Sequence, residues 1–153
     1  MITIINYIPE NSLSGVTSVA LNYGVIGALG EYNVEKGVFN IGKANGSTPV
    51  EDIVVVAPLF LSDKELLTAS FGYTASDTIA AGTAVRYIKS GVFAFPTALL
   101  SSATTWSSTP AGTYVTVNAD GRLTASGAAD AGTVNVGKFR GLDAEGNAVI
   151  EIF

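Results

Sequence analysis

Ile53-Val54-Val55-Val56-Ala57-Pro58-Leu59-Phe60-Leu61 is the longest fully apolar run in the protein, nine residues with the imino acid at its sixth position. A spanning helix needs about 20 such residues, so the run does not cross a membrane. Its short length and β-branched opening fit a strand buried on both faces. With the other short β-rich runs, this reading gives the fold class: mainly β. Upstream, Thr48-Pro49-Val50-Glu51 matches a helix capping box with proline at the first helical position, which leaves one helical turn as the alternative there to continuous strand. Downstream, Ser62-Asp63-Lys64-Glu65 is the same box, followed by Leu66 and Leu67 and stopped by Gly72. It predicts one short helix of about two turns.

Further out, short β-rich runs are punctuated by Gly, Ser and Thr. Ile2–Ile8 reads as an extended arm ended by Pro9, and Glu31–Ile41 alternates around Gly37. Thr83–Lys89 and Val92–Phe95 flank Ser90-Gly91, a tight turn or bulge. Thr113–Val117, Arg122–Ala125, Thr133–Phe139 and Asn147–Phe153 complete the strands. Asn118-Ala119-Asp120-Gly121 and Asp143-Ala144-Glu145-Gly146 have the chemistry of turns within hairpins. Ala-Gly-Thr recurs at 81–83, 111–113 and 131–133, and each copy is expected to open a strand of one small sheet or barrel from the same end. Asn11–Gly30 carries no charge and fits neither the helical nor the strand period. The organisation expected is a compact small β-sandwich or barrel over residues 15–153, with one short helix and an extended N-terminal arm over residues 1–14.

Composition limits the chemistry. The 153 residues contain no Cys and no His, which excludes disulfides, thiolate metal sites, cysteine nucleophiles and any Ser-His-Asp machinery. Lys and Arg number 8 against 13 Asp and Glu, and the resulting net charge of −5 gives no basic face for nucleic acid. Charged residues are 14% of the total and mean hydropathy is +0.40. With no spanning segment and no secretory signal at the start, the expectation is a protein made in the cytoplasm, without membrane or nucleic-acid partners. Its apolar surplus is then buried against other protein, and a homo-oligomer is expected.

Phosphate-binding glycine loops and the Gly-x-Ser-x-Gly elbow are absent, and Gly24-Val25-Ile26-Gly27-Ala28-Leu29-Gly30 has the wrong spacing for a phosphate cradle. Three carboxylate pairs remain. Glu51 and Asp52 would face opposite sides of a strand, and Asp63 and Glu65 suit the first turn of a helix. Asp143, Glu145 and Asn147 have a faint calcium-loop spacing without the downstream bidentate Glu, so a hairpin turn is the better reading. No catalytic residue, metal ligand or cofactor is expected, and the protein is not read as an enzyme. Two apolar segments are expected to touch a partner. In the arm, Ile2, Ile4 and Tyr7 form either an ordinary first strand or one added to a neighbour's sheet. In the uncharged Ser/Thr-rich stretch, Leu99, Leu100 and Trp106 either fold back on the core or anchor a contact.

Several of these segments resemble the small decoration (cement) proteins that coat tailed-bacteriophage heads, including the lambda-type head-decoration family. Tyr87-Ile88-Lys89-Ser90-Gly91-Val92-Phe93 is similar to that family's aromatic-Lys-Ser-Gly-x-Phe hairpin. Ala111–Val117 with Asp120-Gly121-Arg122-Leu123 resembles its Gly-Thr-x-Val strand and turn, and Ala131–Gly137 and Ala148–Ile152 resemble related strands. The resemblance covers less than half the sequence and has no counterpart for the first eighty residues. It implies a structural virion protein that binds the outer surface of the capsid as a homotrimer and stabilises it, with the major capsid protein as partner. The alternative is a virion-associated carbohydrate- or receptor-binding β module, with Trp106 and Tyr114 as the sugar platform.

Overall fold

The computed structural model describes residues 3–7, 12–22, 24–58 and 78–153. Thirteen strands appear among them: β1 Thr3–Tyr7, β2 Ser12–Thr17, β3 Leu21–Asn22, β4 Gly27–Asn33, β5 Val38–Lys43, β6 Ile53–Pro58, β7 Thr78–Ile79, β8 Ala84–Ile88, β9 Gly91–Phe95, β10 Tyr114–Val117, β11 Leu123–Ala125, β12 Gly137–Leu142 and β13 Ala148–Ile152. The protein is mainly β. Ile2, and the helix expected from Ser62, lie outside the described residues.

Strand β6 lies between two apolar layers, as its composition predicts. Five strands close a barrel in the order β2-β5-β4-β6-β8, with β2 and β5 parallel and the other pairs antiparallel. Successive side chains of a strand point to opposite faces. Val54 and Val56 therefore enter the barrel with Ile41, Val85 and Tyr87, while Ile53 and Val55 leave it on the other side. Five strands enclose little space, and glycine keeps it open: a Cβ on Gly27 would meet methyl or methylene groups of Ile41 and Val54 at 2.9 Å. Burial pushes the Tyr87 phenol above its ordinary value.

The second layer is an antiparallel sheet in the order β1-β9-β13-β12-β10-β11. Its inner face carries Phe93, Phe95, Phe139, Ile150 and Ile152, and these form one continuous cluster with Ile26, Ile53, Val55 and Ile88 of the barrel wall. β1 pairs with β9, Ile4 opposite Phe93 and Tyr7 opposite Gly91, so the arm is the edge strand of its own sheet. β2 is already a barrel strand from Ser12, within the span assigned to the arm.

Three expectations are corrected by the strand pairing. The hairpin that the resemblance implies at Tyr87–Phe93 does not form: β8 pairs with β2 and β6 while β9 pairs with β1 and β13, so the backbone passes at Ser90-Gly91 from barrel to sheet. Glu31–Ile41 is two strands, because Gly37 adopts φ +70° and donates to the Asn33 carbonyl at 2.8 Å, closing the β4–β5 hairpin. The three Ala-Gly-Thr copies do not serve one sheet, since the first leads into β8 of the barrel and the second into β10 of the sheet. The third opens no strand. Thr133 and Val134 instead donate their N–H groups to the Gly46 carbonyl, at 2.8 and 3.2 Å, and β12 starts only at Gly137. At Pro49 the backbone makes one 3-10 turn, Val50–Asp52, before β6, and Thr48 makes no capping hydrogen bond to it.

The Gly46–Gly132 contact locks the loop before β12 onto the segment after β5. A Cβ on Gly132 would lie 2.4 Å from both Gly46 Cα and the Val117 carbonyl oxygen, and neither atom can swing aside. Gly132→Ala is therefore expected to destabilise the protein by about 1–3 kcal/mol through overpacking. Gly127→Ala, where a Cβ meets nothing within 4 Å, is the control. Urea unfolding of the two variants beside the wild type checks the difference, and equal midpoints would refute it.

Candidate functional site

The densest polar constellation among the described residues surrounds Asp130. The β10–β11 hairpin turn brings Asn118 to it, β11 brings Thr124, and the loop after the 3-10 turn at Thr97–Leu99 brings Ser101. The Ser101 hydroxyl and the Asn118 side-chain amide donate to Oδ2, the latter at 2.8 Å, and the Thr124 hydroxyl donates to Oδ1 at 2.7 Å. Since the Thr124 proton is committed to Asp130, Thr104 is the donor in its 2.9 Å contact with Thr124, and Thr104 Oγ1 accepts the Ala125 N–H. Asn118 Oδ1 accepts the N–H groups of Asp120 and Arg122 at 3.0 and 2.9 Å, holding the hairpin turn. Arg122 reaches back to donate to the Leu99 carbonyl at 3.0 Å.

Partial burial pushes the Asp130 carboxyl up, but the hydrogen bonds from Ser101, Asn118 and Thr124 outweigh it and hold the group below the usual carboxylate range. These hydrogen bonds favour the ionised form, so Asp130 is a carboxylate at neutral pH and a weaker base than a free one. A cleft of about 340 Å³ beside the cluster is lined by Leu100, Ser101, Asn118, Asp120, Arg122 and Asp130. Burial lowers the Arg122 guanidinium below its ordinary value, against the opposing pull of Asp120. The arrangement works as a clasp: one carboxylate ties together loop 100–104, the β10–β11 hairpin and loop 126–136.

The carboxylate pairs read from the sequence are not brought together with this cluster. Glu51 and Asp52 share the 3-10 turn before β6 rather than a strand. Asp63 and Glu65 lie outside the described residues. Asp143 Oδ1 accepts the N–H groups of Glu145 and Asn147, each at 2.9 Å, closing the β12–β13 turn. The backbone hydrogen bond from Asn147 leads the interactions that hold the Asp143 carboxyl low. No group of three acidic side chains suited to a metal ion occurs among the described residues.

Of the residues expected to touch a partner, Ile4 and Tyr7 sit in β1 at the sheet edge. Leu99, Leu100 and Trp106 are 2%, 5% and 4% exposed, so this stretch folds back on the core. The Trp106 indole packs against Phe139 at a centroid distance of 5.3 Å, and its Nε1–H is buried with no acceptor. The Asp130 clasp was not singled out in the sequence. Its donors are common Ser, Thr and Asn residues up to 29 positions away, with no motif spacing to betray them. No protein-family model matches this sequence, and no curated protein matches it.

Two outcomes follow. Asp130→Ala leaves buried donors unsatisfied and should cost about 1–3 kcal/mol at neutral pH. Because the folded-state pKa is depressed, the carboxylate's contribution is present above the unfolded value of about 3.9 and is lost as pH falls through the folded one. The gap in melting temperature between wild type and variant should therefore close in acid, and a gap constant with pH would refute the clasp. Trp106→Ala should cost the isolated protein about 3–5 kcal/mol in denaturant unfolding, as for a core aromatic. A loss within error would show that the indole is not part of the core.

Proposed function

We propose that this protein is a structural virion protein that decorates a bacteriophage capsid and acts as a homotrimer on the outer surface of the head. One observation supports an interaction role above the rest: large apolar side chains stand in solvent on a protein with only 14% charged residues. Val34 is 86% exposed and Tyr32 54% at the β4–β5 hairpin, and Tyr114 and Phe153 stand half-exposed as an edge-to-face pair at the sheet end. Such groups are the usual raw material of subunit contacts. The resemblance of residues 111–123 and 148–152 to cement-protein strands points the same way. The resemblance at Tyr87–Phe93 is one of sequence alone, since these residues connect two sheets rather than form a hairpin.

The alternative of a sugar-binding module keeps only Tyr114, 42% exposed, of its two-residue platform. Stacking on a saccharide needs an exposed aromatic face, and the Trp106 ring is buried against Phe139. No helix among the described residues is long and apolar enough to cross a membrane.

Light scattering of the purified protein is expected to give about three times the 15.7 kDa of one protomer. Electron microscopy of the native particle is expected to show it seated on the head at three-fold or quasi-three-fold positions. A monodisperse mass near 15.7 kDa, together with heads free of added density, would overturn the proposal.

A further inference from the structure

We infer that Asn45 is a site of spontaneous deamidation and isoaspartate formation, activated by the turn that holds it. Asn45-Gly46 is the only Asn-Gly pair in the sequence, and Asn45 is exposed just beyond β5. Its Oδ1 accepts the Ser47 N–H at 2.9 Å and the Ser47 hydroxyl at 2.9 Å, with the Thr48 hydroxyl at 3.5 Å. The Asn45 carbonyl in turn accepts the Thr48 N–H at 3.2 Å.

Each contact favours one reaction. The Gly46 nitrogen loses its proton to water or hydroxide and attacks Asn45 Cγ. The new N–C bond closes a five-membered succinimide, Nδ2 takes a proton from water, and the Cγ–Nδ2 bond breaks to release ammonia. Water then opens the ring at either carbonyl, giving aspartate, or isoaspartate with the backbone rerouted through Cβ and Cγ. Glycine leaves the attacking nitrogen unshielded by a Cβ. Negative charge in the tetrahedral intermediate collects on Asn45 Oδ1, where the Ser47 and Thr48 donors already converge. The hydrogen bond to the Asn45 carbonyl draws density from the peptide whose nitrogen must ionise. The ring closed by the Ser47 N–H bond also contains both reacting atoms, which restricts their relative motion before reaction.

The position has structural consequences. Gly46 is the residue whose carbonyl anchors Thr133 and Val134 and whose Cα lies against Gly132. An isoaspartate at 45 lengthens the backbone and adds a negative charge one residue from that joint, so the aged protein is expected to melt at a lower temperature.

The test is to age the native protein at mildly alkaline pH, with a urea-unfolded sample in parallel, and to follow Asn45 by peptide mapping and by isoaspartyl methyltransferase labelling. Asn45 is expected to convert before every other Asn, and at least as fast in the native protein as in the unfolded one. Ser47→Ala, which removes one donor on an exposed surface, should slow the native reaction by about threefold, well short of the hundredfold seen in a buried oxyanion hole. Asn45→Gln should abolish the labelling. Slower conversion in the native state than in urea, or an unchanged rate in Ser47→Ala, would overturn the inference.

Discussion

The structure depends on the burial of β6 on both of its faces. Val54 and Val56 fill the barrel, and Ile53 and Val55 on the same four residues fill the space between barrel and sheet. Each of these side chains is at most 6% exposed. Full burial of a Val or Ile side chain stabilises by about 1.5–3 kcal/mol, so this short segment contributes to both cores at once. β8 repeats the device, with Val85 and Tyr87 inside the barrel and Ile88 outside it. The two layers therefore share a wall, and neither can be removed without exposing the other.

Around that shared wall, backbone contacts set how closely the layers approach. Gly46 meets Gly132, and Gly24 stands where a Cβ would lie 2.8 Å from the Leu99 Cβ. The Ile26 N–H donates to the Gly121 carbonyl at 2.8 Å, tying the start of β4 to the β10–β11 turn. The same turn carries Asn118 into the Asp130 clasp. The polar cluster and the glycine contacts thus hold the connecting loops against one another.

The proposed decoration role rests on surface contact, and the distribution of polar and apolar groups is consistent with it. The protein's best-formed polar cluster directs its hydrogen bonds inward, with the Ser101 hydroxyl donating to the Asp130 carboxylate. The exposed groups include several large apolar or aromatic side chains: Tyr32 and Val34 on the β4–β5 hairpin, and Tyr114, Leu142 and Phe153 at the sheet end.

Local chemistry was legible in the amino-acid sequence wherever it acts over a few residues. The two-faced burial of Ile53–Val56, the hairpin turns at Asn118–Gly121 and Asp143–Gly146, and the missing histidine and cysteine chemistry all follow from residue type and spacing. Partner choice between distant strands was decided only by the tertiary structure. Ser90 reads as a turn, yet β8 and β9 separate into barrel and sheet because Val85 and Tyr87 match the barrel interior and Phe93 and Phe95 the sheet core. The third Ala-Gly-Thr opens no strand because its following amides are taken by Gly46, 87 residues away. The Asp130 clasp was likewise invisible, since its donors come together only when three loops meet. A strand's period of two is written in neighbouring residues, whereas its hydrogen-bonding partner is chosen by which remote surface buries the most apolar area without leaving a polar group unpaired.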